Sequence, residues 1–496
     1  LAQRDTTENA GDCYGMLFVY SGNFSCEAEK DQINQTRLLM GLSDELFSYP
    51  LAAGETFTVP EVIMSYSADG FSQLSHQYHT CISEHVCRSR FAHEVRPVLI
   101  NSWEAAYFDF TGDTIVDLAK EAASLGIDMV VMDDGWFGKR DDDNSSLGDW
   151  FVNEKKLGGT LSELIDRVHA QGVKFGIWIE PEMVNEDSNL YREHPDWAIQ
   201  IPGKLPVRSR NQLILDFSRK EVRDNIFDQI CAVFDQGKID YVKWDMNRQL
   251  TDLGSACLPV DQMGELYHRY VLAVYELQER LMKEFPYLLL ENCSGGGARF
   301  DPGMLYYSPQ IWCSDDTDAI ERLKIQEGTA LIYPLSAMGA HVSDCPNHTV
   351  GRVTPFETRG YVALAGTFGY ELDVTKIPEE DRKMIPEQVA MYHKYNDLVR
   401  EGDYYRIASY RENHYFDCYG VVKKDKTEAL FTFVQVLNRP NYHSRRILLQ
   451  GLDPEKNYRI EGEEGVYTGD VLMKAGYLVQ NLWGDFKARL IHLMEA

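Results

Sequence analysis

The chain has 496 residues, and its 49 Lys and Arg against 77 Asp and Glu give a formal net charge of −28 at pH 7. A negative field of this size repels phosphate backbones, so we expect no nucleic-acid partner. With 44% hydrophobic and 12% aromatic residues the composition is that of a globular protein. Because no apolar run approaches the ~18 to 20 residues of a membrane span, we also expect no membrane association.

The length predicts more than one domain, although a single α/β barrel can itself take about 250 residues. The ten cysteines are scattered without C-x-x-C pairs, so we expect reduced thiols. The first residues, LAQRDTTENAG, contain neither the basic nor the apolar region of a signal peptide. We therefore expect a cytoplasmic location.

The N-terminal residues 1–68 have a β pattern. Aromatic and β-branched residues concentrate in two stretches, 14–24 and 54–67, with turn residues between them. We interpret residues 1–68 as the C-terminal part of an N-terminal β-sandwich domain. Residues 69–96 carry apolar positions at helical spacing and are predicted to form a helical linker.

Residues 97–401 alternate between short apolar runs and helical stretches, and each run ends in polar or aromatic residues. Eight such units predict a catalytic (β/α)8 TIM barrel. The eight runs are 97–103, 129–136, 175–183, 240–245, 288–297, 310–316, 335–343 and 365–373. The predicted helices are 114–125, 161–171, 221–236, 263–285 and 386–401. A ninth apolar run, 210–218, is placed as an extended segment on the barrel rim.

Residues 402–496 return to β patterning, with six strand-like runs separated by turns. They predict a C-terminal antiparallel β-sandwich domain. The predicted fold class is therefore α/β: a TIM barrel flanked by an N-terminal β-sandwich portion and a C-terminal antiparallel β-sandwich.

The stretch 240–248, DYVKWDMNR, follows a short apolar approach with a dense set of charged, amide and aromatic side chains. Residues two apart on a strand share a face, so Lys243 and Asp245 should point to the same side. An ammonium within ~4 to 6 Å keeps a carboxylate charged, as a nucleophile requires. Taken alone, the two residues are better explained by a structural ion pair that closes a barrel rim.

A second acidic cluster lies at 312–322, WCSDDTDAIER. Repulsion among Asp315, Asp316 and Asp318 should raise the pKa of at least one carboxyl toward that of a general acid. The neighbouring Arg322 opposes this effect. Spacing alone leaves open which of the three is the acid, and a solvated acidic loop or a cation site is the alternative. Two carboxylate sites in one barrel indicate glycosidic chemistry.

The predicted barrel brings its strand ends together at one face, where barrel enzymes bind their substrates. The residues at these ends are unusually acidic and aromatic: Trp103, Asp133, Asp134, Trp136, Trp178, Glu180, Glu182, Lys243, Asp245, Asn247, Glu291, Cys293, Trp312, Asp315, Asp316 and Asp318. Carboxylates bind sugar hydroxyls and indoles stack on pyranose faces, so we expect a carbohydrate site. No predicted strand ends in H-x-H or H-x-x-x-H spacing, so the sequence gives little support to metal catalysis. The SGGG run at 294–297 lacks the known phosphate-loop patterns, so a phosphate site is also weakly supported.

Seven motifs, NSWEA, DDGWFG, WIEPEM, RNQLILD, KWDMNR, ENCSGGG and WCSDDTD, stand in the order found in glycoside hydrolase family 36. The chain thus resembles the α-galactosidases of that family. The resemblance implies a barrel between β domains, retention of anomeric configuration, and no cofactor or metal. By motif, Asp245 resembles the nucleophile and Asp315 the general acid/base. The positions that resemble substrate-binding residues are Trp103, Asp133, Asp134, Trp178, Arg210, Lys243, Asn247, Cys293, Gly296 and Trp312.

Two pairs among these positions carry finer expectations from the resemblance. Asp133 and Asp134 resemble the pair that holds the 4- and 6-hydroxyls of galactose. Cys293 and Gly296 fall where the family meets the 2-hydroxyl, and they favour galactose over an N-acetylated sugar.

The resemblance implies a retaining α-galactosidase that hydrolyses terminal α-linked galactose, expected as α-1,6, from melibiose- and raffinose-type oligosaccharides. Its two carboxyl groups should lie ~5 to 5.5 Å apart, because an inverting pair needs ~6.5 Å or more. The alternatives are an α-N-acetylgalactosaminidase or a galactosyl transferase of the same mechanism, and a non-catalytic galactoside-binding protein.

The expected partners are galactose-containing oligosaccharides and further copies of the chain, since related proteins form tetramers. Family members also carry a longer N-terminal β domain than residues 1–102 here. Loops of that domain help to shape the site of the neighbouring subunit.

Overall fold

The structure is a computed structural model that describes residues 1–441, 444–480 and 482–496. The strands of its N-terminal part are β1 (Cys13–Phe18), β2 (Phe24–Lys30), β3 (Thr36–Leu42) and β4 (Val62–Ser67). Within residues 1–68, β1 pairs with β4 and β2 pairs with β3, each as a two-stranded antiparallel sheet. The β pattern of this region is therefore present.

Helix α1 (Gly70–Cys81) follows where helical spacing predicts it. It lies between the N-terminal strands and the rest of the molecule. The Nε2 atom of His76 contacts the backbone oxygen of Tyr404 at 2.7 Å, and Nε2 of His79 contacts that of Ala330 at 2.8 Å. These two histidines are thus used in packing.

The central region closes into a barrel. The strands of this central region, in chain order, are β5 (Leu99–Asn101), β6 (Met129–Met132), β7 (Lys174–Ile179), β8 (Met183–Val184), β9 (Leu213–Ile214), β10 (Tyr241–Trp244), β11 (Leu289–Asn292), β12 (Gln310–Trp312), β13 (Met338–Ser343) and β14 (Thr367–Glu371). Strands β5, β6, β7 and β10 to β14 pair in parallel, and β14 closes the barrel on β5. The eight predicted strands are confirmed. Strands β8 and β9 pair with each other outside the barrel, so the run 210–218 does belong to the rim.

Helices surround the barrel: α2 (Trp103–Ala106), α3 (Gly112–Ser124), α4 (Glu154–Leu157), α5 (Leu161–His169), α6 (Asn189–Glu193), α7 (Lys220–Phe234), α8 (Leu266–Glu284), α9 (Pro302–Leu305), α10 (Ala319–Ala330), α11 (Phe356–Ala363) and α12 (Glu379–Glu401). The predicted start of α12 at Pro386 is wrong, since the helix begins earlier, with acidic residues in its first turn. Helices α10 and α11 were not predicted. Their buried faces include Arg322 and Arg359, so neither has a clear apolar stripe.

The C-terminal region contains β15 (Asp403–Ala408), α13 (Tyr410–Asn413), β16 (Phe416–Val422), β17 (Glu428–Gln435), β18 (Ser444–Ile447), β19 (Asn457–Ile460), β20 (Tyr467–Thr468), α14 (Gly469–Lys474), β21 (Tyr477–Gln480) and β22 (Lys487–Glu495). An antiparallel sheet of order β15-β16-β17-β22-β19-β20 packs against the pair β18-β21. Phe431, Ile447 and Val479 share the core between the two sheets. This confirms the predicted antiparallel domain. Among the residues described, no helix is long and apolar enough to cross a bilayer.

Candidate active site

A cavity of about 240 Å³ opens at the C-terminal ends of the barrel strands. It is lined by ten of the residues singled out from the sequence: Trp103, Asp133, Asp134, Trp178, Arg210, Lys243, Asp245, Asn247, Trp312 and Asp315. The barrel therefore brings these ten positions together from strand ends and loops that are far apart in the chain.

Asp245 directly follows β10, and its carboxylate is surrounded by hydrogen-bond donors. One oxygen accepts Nε1 of Trp178 at 3.2 Å and Nδ2 of Asn247 at 2.8 Å. The other accepts the backbone N–H of Met246 at 2.8 Å and that of Gly295 at 3.3 Å. Each donor favours the charged form of the carboxylate.

These donors and a nearby charge decide the protonation state of Asp245. Burial acts to raise the pKa of its carboxyl, but Lys243 and hydrogen bonds from Cys293, Asn247 and Trp178 outweigh burial and lower it. The carboxylate therefore stays anionic where ordinary carboxyls begin to take up protons. An anion fixed at the end of a strand is suited to nucleophilic attack.

Lys243 favours the charged form of Asp245, as the sequence predicts, but the two residues do not form a direct ion pair. The Nζ of Lys243 forms its direct ion pair with Oδ2 of Asp133 at 3.1 Å, and Asn101 donates to the same oxygen at 2.7 Å. Lys243 acts on Asp245 through space. Asp133 follows β6, which is separated from β10 by β7, so this contact across the end of the barrel could not be revealed by any spacing within 240–248.

Asp134 is held by Arg140, a residue that the sequence patterns did not indicate. The guanidinium donates from Nε to Oδ1 at 2.9 Å and from Nη2 to Oδ2 at 2.8 Å. Arg140 has no exposed surface, and Nη1 donates to the backbone oxygen of Ser145 at 3.0 Å. Such a bidentate pair fixes the orientation of the carboxylate as well as its charge.

Asp315 follows β12 and is oriented by an indole, as Asp245 is. The Nε1 of Trp312 donates to Oδ1 of Asp315 at 3.1 Å. Surrounding protein and the charge of Asp245 raise the pKa of the Asp315 carboxyl, against the opposing effect of Lys243. Asp315 thus holds its proton to higher pH than an ordinary carboxyl, as a general acid should.

The sequence reasoning on the cause of this shift is wrong. The pKa of Asp315 is raised by burial and by Asp245, whereas Asp318 caps α10 by accepting the N–H groups of Ile320 and Glu321. Arg322 does not oppose the shift by pairing with the cluster. Its guanidinium donates to backbone oxygens of Ser314, Asp316 and Gly339.

The loop after β11 contacts Asp245 and packs against the backbone at Asp315. The thiol of Cys293 hydrogen-bonds to Asp245, and Cys293 is itself buried. Gly296 has a φ of +84°, and a Cβ there would lie 2.8 Å from Cα of Ser314 and 2.9 Å from the backbone nitrogen of Asp315. Only glycine fits this approach without strain. Cys293 and Gly296, which the resemblance gives as substrate-binding positions, are not among the residues that line the cavity but lie behind them.

Glu180 and Glu182, also found at strand ends, are buried beside the cavity. Glu182 accepts Nε1 of Trp244 at 2.8 Å and pairs with Arg299 at 2.7 Å. Glu180 accepts the backbone N–H of Asn247 at 2.5 Å, and burial raises its pKa to about 8. Both carboxyls hold β10 and the segment after it in position.

Arg210 reaches the cavity from the rim rather than from a barrel strand. Arg210 and Asn211 have φ values of 49° and 59°, and the N–H of Gln212 bonds back to the oxygen of Ser209 at 3.0 Å. Two consecutive positive φ values are typical of a two-residue hairpin turn. The Nδ2 of Asn185 donates to the oxygen of Asn211 at 2.8 Å and anchors the turn.

Four further residues line the cavity that sequence reasoning missed: Glu104, Thr317, His348 and Glu371. Glu104 stands in the NSWEA motif and Glu371 ends β14, so applying the strand-end rule to every strand would have found them. Thr317 lies inside the SDDTD motif. His348 lies on the loop after β13, and no pattern in the sequence points to it.

Residues 56–402 match the Melibiase family, residues 417–493 match the glycosyl hydrolase family 36 C-terminal domain, and residues 1–52 match the family 36 N-terminal domain. The chain belongs to glycoside hydrolase family 36. Its membership, expected from the motifs, is confirmed along nearly its whole length.

Relatives in family 36 include the bifunctional alpha-galactosidase/sucrose kinase AgaSK of Mediterraneibacter gnavus. It is 65% identical over 98% of this chain and 51% of its own length. Alpha-galactosidase Mel36A of Lactobacillus acidophilus is 48% identical over 99% of the chain and 67% of its own length. The crystal structure of AgaA from Geobacillus stearothermophilus superposes with a TM-score of 0.98 at 48% identity, covering 100% of this chain and 69% of that one. The chain thus spans between half and about two thirds of these relatives.

The two shifted carboxyls predict a bell-shaped dependence of kcat/KM on pH. Activity should fall toward acid as Asp245, whose pKa is lowered, takes up a proton. It should fall toward alkali as Asp315, whose pKa is raised, loses one. We expect initial rates on melibiose to show both limbs, and Asp315→Asn to remove the alkaline limb; an alkaline limb that persists in the variant contradicts the assignment.

Gly296→Ala should damage both stability and activity. A Cβ at this φ presses on Ser314 and on the backbone of Asp315, which we expect to cost roughly 1–3 kcal/mol. Displacement of Asp315 should lower kcat/KM by about tenfold or more. The control is Gly328→Ala in α10, where a Cβ meets nothing within 4 Å. Thermal melts and kcat/KM are measured for both variants. Equal melting temperatures and equal kcat/KM in the two variants would contradict the proposed packing of Gly296 against Asp315.

Proposed function

We propose that this chain is a retaining α-galactosidase that releases terminal α-linked galactose, chiefly α-1,6-linked, from melibiose- and raffinose-type oligosaccharides. The observation that carries the proposal is the opposite tuning of two carboxyls in one cavity. Asp245 is held anionic and Asp315 is biased toward protonation. This division of roles is what glycoside hydrolysis by double displacement requires.

In the proposed mechanism, Asp245 attacks the anomeric carbon while Asp315 protonates the departing glycosidic oxygen. A covalent galactosyl ester forms on Asp245. Asp315, now deprotonated, takes a proton from water, which attacks the anomeric carbon from the side that the leaving group vacated. Galactose is released with its α configuration, and both carboxyls return to their starting protonation states.

The sugar-binding side of the cavity suits a neutral hexose. Asp133 and Asp134 present carboxylate oxygens that accept hydroxyl donors, and their partners Lys243 and Arg140 neutralise them. Trp178 and Trp312 supply indoles for the apolar face of a pyranose. We therefore assign the galactose ring to the space between these groups.

Solved complexes of relatives support the substrate class. Variants of AgaA from Geobacillus stearothermophilus, 47% identical to this chain, have been crystallised with raffinose and with stachyose. Both ligands end in α-linked galactose. We infer that this chain accepts the same kind of oligosaccharide.

The test is hydrolysis of p-nitrophenyl α-galactoside by the 496-residue chain, beside the corresponding N-acetyl-α-galactosaminide. We expect turnover of the galactoside alone, because Cys293 and Gly296 stand at the positions that, by resemblance to the family, meet the 2-hydroxyl and favour galactose over an N-acetylated sugar. Preferred turnover of the N-acetylated substrate would make the chain an α-N-acetylgalactosaminidase. Galactose binding without turnover of either substrate by folded protein would overturn the proposal in favour of a binding role.

A further inference from the structure

The loop after β13 forms one side of the cavity mouth and is tied to the loop that carries Asp315. The Nδ2 of Asn347 donates to Oγ1 of Thr317 at 3.2 Å, and Arg352 pairs with Asp318. Thr317 and Asp318 lie two and three residues after Asp315 in the chain. The two loops therefore behave as one unit around the acid.

The same unit holds an imidazole at the cavity mouth. Nδ1 of His348 lies 3.3 Å from Oε2 of Glu104, and the other oxygen of Glu104 accepts Oγ1–H of Thr317 at 3.0 Å. The hydrogen bond that Glu104 accepts from His348 raises the pKa of the imidazole. Glu104, only 7% exposed, thus orients a histidine whose own side chain is 45% exposed.

Solvent exposure distinguishes the residues on the galactose side of the scissile bond from those on the side of the leaving sugar. Asp133, Asp134 and Trp178 are at most 4% exposed and form the cavity floor, where the galactose ring is assigned. The oxygen that Asp315 protonates joins this ring to the leaving sugar. His348 lies closer to solvent than the floor residues and therefore faces the space of the leaving sugar.

The outer nitrogen of this imidazole is suited to a hydroxyl ligand. Nε2 of His348 contacts Oγ1 of Thr349 at 3.2 Å, and Thr349 is exposed. A hydroxyl of an arriving sugar can replace that of Thr349, because the threonine can rotate into water. Hydrogen bonds that involve a charged partner are the stronger ones.

We propose that His348 is a specificity-determining residue that hydrogen-bonds a hydroxyl of the leaving sugar, held for that task by Glu104 and Thr317. The proposal rests on the proposed function of the same cavity. It explains why a polar cluster with no part in bond cleavage lines the cavity mouth beside the acid.

The test compares three galactosides that separate leaving-group chemistry from sugar recognition. Melibiose has a sugar aglycone, methyl α-galactoside has an equally poor leaving group without sugar hydroxyls, and p-nitrophenyl α-galactoside has a good one. For His348→Phe we expect kcat/KM to fall about tenfold on melibiose, the worth of one hydrogen bond. The other two substrates should change by less than about twofold.

Companion variants test how His348 is held. Glu104→Gln should give a smaller loss in the same direction, and the double variant should lose no more on melibiose than His348→Phe alone, because the two residues act as a unit. Thr349→Val, in the same loop, is the control and should not lower melibiose turnover. Equal losses on all three substrates, or no loss on melibiose, would overturn the proposal.

A binding measurement keeps the inference separate from the proposed activity. Because the active chain would consume melibiose, calorimetry is done in the Asp245→Asn background, where adding His348→Phe should weaken binding of melibiose and leave binding of galactose unchanged. Absence of turnover by the unsubstituted chain would count against the proposed function, whereas the melibiose-to-galactose affinity ratio still decides the role of His348. An unchanged ratio would overturn that role.

Discussion

Asp245→Asn is expected to abolish turnover while the chain still folds. The amide keeps the volume of the side chain and removes the negative charge that we propose as the nucleophile, so kcat should fall by at least about 10⁴-fold. The amide oxygen can still accept the N–H groups of Met246 and Gly295. We expect the thermal midpoint to change by no more than about 5 °C, as measured by circular dichroism beside initial rates.

The matched control for this variant is Asp240→Asn at the other end of the same strand. Asp240 contacts His169 at 3.2 Å and Lys238 at 3.0 Å, away from the cavity. The N-terminal face of a barrel serves stability, so activity should stay near that of the unsubstituted chain. Retained turnover in Asp245→Asn, or its loss in Asp240→Asn, would refute the assigned nucleophile.

Asp315→Asn is expected to separate substrates by their leaving groups. The sugars that depart from melibiose and raffinose would leave as alkoxides unless their glycosidic oxygen is protonated, so kcat/KM on these substrates should fall by about 10² to 10⁴-fold. The phenolate of an aryl galactoside such as the p-nitrophenyl compound leaves without much protonation, so the first step on that substrate should suffer far less. Initial rates on the two classes of substrate measure the difference.

The control is Asp316→Asn in the same loop. Its Oδ1 accepts the backbone N–H of Asp318 at 3.0 Å, a contact that an amide oxygen can also make. We expect nearly unchanged rates on both classes of substrate. If Asp316→Asn shows the leaving-group dependence and Asp315→Asn does not, the acid has been assigned to the wrong neighbour.

The barrel and most of its cavity follow from local patterns in the sequence. Apolar runs that end in polar residues gave all eight strands, and parallel strands carry their C-terminal ends to one face. Trp178, Asp245 and Trp312 could be placed together because each sits at or next to a strand end. Their side-chain directions follow from the alternation along a strand.

The contacts that tune the site could not be predicted in this way. Lys243 pairs with Asp133 instead of Asp245, and Arg140 fixes Asp134 from a loop. Both partners are set by closure of the barrel, which brings the ends of β6 and β10 together although β7 lies between them, and by loop paths, which no periodicity encodes. His348 was missed for the same reason, since it enters from a loop beyond the end of β13.

The most direct test of the account is the anomeric configuration of the galactose first released by this chain, followed by proton NMR as hydrolysis of an aryl α-galactoside begins. Double displacement through Asp245 predicts that α-galactose appears first and that the β anomer grows in later by mutarotation. If β-galactose is the first product, attack occurs in a single inverting step, and the roles assigned to Asp245 and Asp315 are contradicted.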